Sequence, residues 1–321
     1  MARPPSYAPP LAARLPSAPP RLSGEPVALA GASMGTTWSA RLALPPGVTR
    51  QQAQAAIAAA LDEVVAQMST WEAGSDISRF NRAATGWQAL PEALFHVLSH
   101  ALDLADASGG AYDPTIGALV DAWGFGAGPR VHEPPAAAAI AQARRAWQPG
   151  GVRLDLSSIA KGYGVDRAAL ALRALGVTAC LVEVGGELRA HGVRPDGLPW
   201  RVAVEVPDAS GAHALAVPLR DQSIATSGDY RRYIEQAGRR YAHTLAPRTG
   251  KPLDNDLASV TVIHPECMLA DGLATALGVL GAAAGADYAA RHDLAALFIL
   301  RGAAGHEVRA TPAFAALLDR P

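Results

Sequence analysis

A chain of 321 residues that is 50% hydrophobic and 18% charged can bury a large core, as one big domain or two closely joined halves. A formal net charge of -1 with no long basic stripe removes the counterion-release term that nucleic-acid binding relies on. Two cysteines, Cys180 and Cys267, both in apolar runs and neither in a CxxC or CxH arrangement, argue against a zinc site or a disulfide scaffold.

Residues 1–25 are rich in Pro, Ala and Arg and lack the continuous apolar stretch of a secretory signal. They read as a disordered leader ahead of a folded unit spanning 26–321. Short strands are expected at Val27 to Ala30 and Thr36 to Leu44. Thr49 to Trp71 carries Ile57, Leu61, Val64, Val65 and Met68 at helical spacing. A second helix runs from about Pro91 to Ala107 and stops at Gly109-Gly110, and a third starts at Pro114 and stops by Gly124 to Gly128. An Ala-rich helix over Pro135 to Trp147 follows, then strand Val152 to Leu156, helix Ser158 to Leu175, strand Ala179 to Val184, a Gly-Gly turn and strand Glu187 to His191. Strand-like runs at Arg201 to Val206, Ala214 to Leu219, Ser223 to Ser227, Arg240 to Leu245 and Leu257 to His264 precede helices Ala270 to Leu280 and Gly285 to His292 and a last strand, Ala296 to Leu300. Runs of strands between helices indicate the α+β class, mixed sheets flanked by helices rather than a regular parallel βαβ sheet. The segment nearest to a membrane span, Leu273 to Ala286, is broken by three glycines and falls short of the roughly 20 residues a bilayer requires; it reads as a buried helix.

Three stretches carry chemistry. In LDLSSIAKGYGVD, Leu154 to Asp166, a strand runs into a helix with Ser157 or Ser158 as N-cap, which turns free amides and the positive end of the helix dipole toward an anion. Lys161 lies one turn in, and Gly162 and Gly164 allow close backbone approach, although the stretch is neither a Walker A nor a GxGxxG sequence. Taken alone, a capped amphipathic helix with a solvated lysine is the plainer reading. Asp271 and Thr275, four apart on an otherwise apolar helix, place a carboxylate and a hydroxyl on one face. They suit a hard cation, with magnesium or calcium favoured over zinc, and a set this sparse suits magnesium completed by phosphate and water; Asp271 reads equally as a helix-dipole partner. In YAHTLAPRTGKPLDN, His243 ends a strand and is a candidate general base, with Arg248 and Lys251 as phosphate contacts, although a lone histidine is more often structural. MGTTW, MSTWEAGSDISRFN and GGAYDP bring thioether, indole and phenol groups that can wall a flat aromatic ligand or simply fill a core.

Taken together, SMGTTW, MSTWEAGSDISRFN, YDPTIGALVDAWGFG, LDLSSIAKGYGVD, LVEVGGELRAHG, IATSGDYRRY, HTLAPRTGKPL and SVTVIHPECMLADGLATAL, in this order from about Val27 to Leu318, resemble the ApbE family, the FAD:protein FMN transferases. The resemblance implies an ApbE-like, T-fold-like architecture with an FAD cleft. It also implies Mg2+-dependent transfer of FMN from FAD to a Thr or Ser hydroxyl of a target flavoprotein, with release of AMP. By the same resemblance, Met34, Trp71, Ala111, Tyr112, Asp113, Asp155, Lys161 and Leu245 contact FAD, with Trp71 where a Tyr is frequent. Ser158, through its main-chain oxygen, Asp271 and Thr275 hold magnesium, and His243 is the base for the accepting hydroxyl. Subunits of membrane redox complexes are the family's usual targets, and with no Ser/Thr-Gly-Ala-Thr motif in this chain self-modification is not expected.

Two departures stand out. The family usually has Asp before the PRTG turn, where this chain has Ala246, and that Asp would orient the histidine or shape the turn. Many relatives are exported lipoproteins with a signal and a lipid-bearing Cys, whereas the first cysteine here is Cys180; periplasm, inner membrane and cytoplasm all stay open. The same site would also serve an FAD pyrophosphatase, with water as nucleophile, or a non-catalytic flavin-binding protein.

Overall fold

The computed structural model describes residues 26–127, 152–205, 213–228, 233–236, 239–302 and 305–318. The Pro-rich leader and the Ala-rich helix expected over Pro135 to Trp147 lie outside them. In chain order the elements are β1 (Pro26–Ser33), β2 (Thr36–Ala43), α1 (Arg50–Met68), α2 (Asp76–Arg82), α3 (Glu92–Ala107), α4 (Gly117–Ala122), α5 (Ala160–Ala174), β3 (Cys180–Val184), β4 (Glu187–His191), β5 (Trp200–Glu205), β6 (His213–Leu219), β7 (Ser223–Gly228), β8 (Tyr233–Gln236), β9 (Arg239–Ala242), β10 (Leu245–Ala246), β11 (Lys251–Pro252), β12 (Leu257–His264), α6 (Cys267–Leu280), α7 (Ala282–Arg291), β13 (Ala295–Gly302), β14 (Gly305–Ala310) and α8 (Pro312–Leu318).

Eight strands form one sheet in the order β1-β2-β3-β4-β7-β12-β13-β14, every described pair antiparallel, and β5–β6, β8–β9 and β10–β11 form separate ribbons. Strands β12 and β13 are buried on both faces, so their sequences read as continuous apolar runs. On β13, Ala296, Phe298 and Leu300 pack into the helical layer of α3, α6 and α7, while Ala295, Leu297 and Ile299 pack against the β5–β6 ribbon and α8. Helices α1 and α5 cover the other end of the sheet through Ile57, Leu61, Val165 and Leu172 on Trp38, Leu42 and Val182. Helix α1 begins at a capping box in which the Thr49 hydroxyl accepts from the Gln52 amide and the Gln52 side chain accepts from the Thr49 amide. No helix among the described residues is long and apolar enough to cross a membrane.

Three local expectations fail. Val152 to Leu156 is not a strand, because only Arg153 makes an isolated bridge, to Ile116. The backbone of Leu154 is satisfied instead by the Asn81 amide, which accepts from its N–H at 2.7 Å and donates to its C=O at 2.8 Å. One side chain thereby replaces a neighbouring strand. Nor do Ser157 and Ser158 cap α5: its N-cap is Ile159, without a side-chain cap bond, and the Ser157 amide closes a tight turn on Asp155 Oδ1 at 2.8 Å. The run Arg240 to Leu245 divides between β9, paired with β8, and β10, paired with β11. Helices α2 and α8 and strands β8 and β14 were not anticipated; α2 is a seven-residue polar turn capped by Ser75, and β14 is a largely exposed edge strand, so neither carries a strong apolar period.

Candidate active site

A cleft of about 1230 Å³ opens beside the β1–β2 turn, the starts of α4, α5 and β4, and the helix α6. The twelve residues that the family resemblance assigns to the site line it: Met34, Trp71, Ala111, Tyr112, Asp113, Asp155, Ser158, Lys161, His243, Leu245, Asp271 and Thr275. Met34 occupies the β1–β2 turn at a positive φ of 53°, followed by Gly35 at 69°, a pair that closes a two-residue hairpin in the favoured twist. Trp71 lies just past the end of α1 and is 59% exposed, so its indole is free to meet a ligand.

Helix α5 begins at the floor of the cleft, and its first turn is capped from another helix. The Gly162 amide, which in an uninterrupted helix would bond the Ser158 carbonyl, donates to Asp271 Oδ2 at 3.0 Å. The approach is tight, since a Cβ on Gly162 would lie 2.3 Å from the Cys267 carbonyl oxygen and 2.9 Å from Asp271 Cβ. Helix α5 returns the cap: the Asp166 carboxylate accepts from the amides of Cys267 at 3.1 Å and Met268 at 2.9 Å and pairs with Arg189. Each helix therefore supplies the anion for the other's positive end.

Lys161 is not a solvated lysine. Its ammonium pairs with Glu187, a residue 3% exposed at the head of β4. Burial alone favours the neutral amine, but the nearby Asp271 and Glu187 carboxylates outweigh it and raise the lysine's pKa. Burial pushes the Glu187 carboxyl up to about 7 against the pull of Lys161, and it raises Asp271 against Lys161 and the Gly162 amide. Glu187 Oε2 is buried without a hydrogen-bond partner. Two buried carboxyl groups thus share one ammonium at the cleft floor.

Around this floor, the Ser158 hydroxyl donates to Tyr112 Oη at 3.2 Å, and burial raises the pKa of the Tyr112 phenol, keeping it protonated. Asp113 Oδ1 accepts from the Thr115 amide at 2.8 Å and its hydroxyl at 2.7 Å, which fixes the loop into α4. Among the described residues, no three His, Cys, Asp or Glu side chains gather as a metal cage. The oxygens a hard cation would meet are the Asp271 carboxylate, the Thr275 hydroxyl one turn on, and Ser158, a set that water or ligand oxygens would complete.

On the far wall, the His243 ring meets Phe125 edge-on at 6.4 Å. The turn after it is held to α4 by Trp123 Nε1, which donates to the Gly250 carbonyl at 2.8 Å. The Ala246 carbonyl accepts from the amides of Thr249 at 3.2 Å and Gly250 at 2.8 Å, so main-chain bonds close this turn without an Asp at 246. Arg248 and Lys251 are exposed and do not line the cleft, which corrects their reading as phosphate contacts. Glu187, Asp166 and Arg189 were overlooked. Their only sequence signal is charge inside segments that otherwise read as core, which calls for a partner.

Residues 34–298 match the ApbE family. The chain is 38% identical to an FAD:protein FMN transferase of Vibrio cholerae, over 92% of this chain and 94% of that one, and 36% identical to one of Haemophilus influenzae, over 91% and 92%. Its fold superposes on the flavin transferase ApbE of Vibrio cholerae with a TM-score of 0.84 at 36% identity, covering 92% of this chain and all of the other. It superposes on apo flavinyl transferase ApbE of Pseudomonas stutzeri at 0.83 and 37%, covering 92% and 98%. With that match, and with relatives above 30% identity along nine-tenths of its length, this chain belongs to the ApbE family.

Proposed function

We propose that the chain transfers the FMN part of FAD to a Thr or Ser hydroxyl of a target flavoprotein in a Mg2+-dependent reaction that releases AMP. The observation that carries this reading is the convergence of Lys161, Asp271 and His243 on one cleft large enough for a dinucleotide. The pyrophosphate would lie against Lys161 and the start of α5, and the flavin against Met34, Trp71 and Tyr112. The oxygen donors Asp271, Thr275 and Ser158 fit a divalent cation; when bound, the ion would neutralise charge developing on the phosphoryl oxygens.

His243 accepts the proton of the acceptor hydroxyl, whose oxygen attacks the FMN-side phosphorus. The new P–O bond forms as the bond to the AMP phosphate breaks, and AMP departs with the bridging oxygen. Lys161 stabilises the charge from its own side of the cleft. Subunits of membrane redox complexes are the proposed targets.

The test is incubation with FAD and Mg2+, with and without a flavoprotein domain carrying an acceptor Thr, reading AMP release and covalent yellow protein. AMP formed only with the target supports transfer. AMP formed without it would make the protein a pyrophosphatase, and no AMP in either arm would leave a flavin-binding protein.

A further inference from the structure

The cleft floor holds two buried acids and one ammonium, and the ammonium's choice of partner matters. Lys161 directly precedes Gly162, where α5 and α6 cross against Asp271 Cβ, and Asp271 and Glu187 are the carboxyl groups whose charge raises the lysine's pKa, although only Glu187 is in ion-pair contact with it. Asp271 already gives Oδ2 to the Gly162 amide, and the Lys161 ammonium lies on Glu187 Oε1. Glu187 accomplishes this from a costly place, 3% exposed with Oε2 unsatisfied. An ammonium drawn onto Asp271 would occupy the negative charge that a cation there has to use.

We propose that Glu187 is a positioning residue that holds the Lys161 ammonium off Asp271 and so leaves the Asp271 carboxylate open to the divalent ion. This rests on the reading of Asp271 as a metal ligand. Glu187 itself binds no metal in this scheme; it removes a competitor and presets the lysine for the pyrophosphate. The alternative is a plain ion pair that stitches α5 to β4, and the two differ in what deleting the lysine does.

The experiment titrates the full chain, without FAD, with Mn2+ read by EPR and displaced by Mg2+. Binding should be lost in Asp271→Asn. Glu187→Gln should weaken it by about tenfold or more, within the 10–100-fold range of outer-shell partners. Adding Lys161→Met to Glu187→Gln should restore affinity to within a few-fold of wild type, an outcome that loss of a structural ion pair does not produce. If Glu187→Gln fails to fold, Lys161→Met alone decides, since it should bind Mn2+ at least as tightly as wild type. Wild-type binding that is absent, or indifferent to Asp271→Asn, removes the metal reading and the proposal with it. Binding that needs Asp271 yet ignores Glu187→Gln, that stays weak in the double variant, or that weakens in Lys161→Met, overturns the Glu187 role alone.

Discussion

The Gly162 amide and the Asp271 carboxylate meet at 3.0 Å, and that bond ties the placement of the candidate cation ligand to the close crossing of two helices. The crossing tolerates no side chain at 162. Gly162→Ala would bring a Cβ against the Cys267 carbonyl and Asp271 Cβ, both parts of α6 with little freedom to yield. The expected loss is about 1–3 kcal/mol of stability, the usual cost of overpacking, together with transfer activity. Gly164→Ala is the comparison for stability, because its Cβ would meet only side-chain ends, Met34 Sδ at 3.0 Å and Leu61 Cδ2 at 3.2 Å, rather than backbone. Equal urea midpoints for the two variants would show that the crossing is not constrained as described.

Asp166 performs the reciprocal service. Asp166→Ala would leave the Cys267 and Met268 amides and Arg189 without their carboxylate, and removing one partner of a buried pair costs about 3–5 kcal/mol. Asp166→Asn keeps an acceptor for one of the two amides while turning a donor toward the other, and should lose less than Asp166→Ala. Chemical denaturation that ranks the two equally would contradict a capping role.

His243 separates catalysis from binding. His243→Ala should leave FAD affinity within a few-fold while slowing transfer by about 10²- to 10⁴-fold, the usual share of a general base. Ala246→Asp should leave the melting temperature unchanged, because main-chain bonds already close that turn, and any gain should appear in the transfer rate. A His243→Ala protein that modifies its target at the wild-type rate sinks the assignment.

Lys161→Ala should weaken FAD binding well beyond Lys251→Ala, since Lys161 lines the cleft and Lys251 is exposed outside it. Fluorescence titration of FAD reads both. Equal effects would place the pyrophosphate elsewhere.

Acidification through the ordinary histidine value of 6.5 should remove the stability that two histidines contribute. Burial lowers the pKa of His96, helped by His100, and burial also lowers that of His292, which stacks on Tyr288 at 4.3 Å. At these two positions the folded state binds fewer protons than the unfolded chain between the lowered values and 6.5, so their contribution increases with pH across that window and is lost below it, while Glu187, raised by burial to about 7, works in the opposite direction. Between pH 7.5 and 5.5 the His96→Gln/His292→Gln protein should lose less melting temperature, or gain more, than the wild type. An equal change in both proteins would assign the effect to other groups.

Much of the fold was legible because it rests on periodicity. The doubly apolar runs of β12 and β13 and the i, i+4 stripe of α1 specify their own structure wherever they are packed. The segment after Val152 was misread because it has a strand's composition while its hydrogen-bond partner is the Asn81 side chain, 73 residues away in sequence. The serines before α5 failed as caps for a similar reason, since Asp271, 109 residues beyond Gly162, supplies the anion.

By itself, the sequence determined most element types, because they depend on short-range periodicity, and it carried the motifs whose resemblance to the ApbE family implies the twelve residues that come to line one cleft. Only the tertiary structure decided which charges face each other: Lys161 on Glu187, Asp271 on the first turn of α5, and Asp166 on the first turn of α6. The physical reason is that a buried charge must find its counterpart in space, and the distance between partners along the chain leaves no periodic trace.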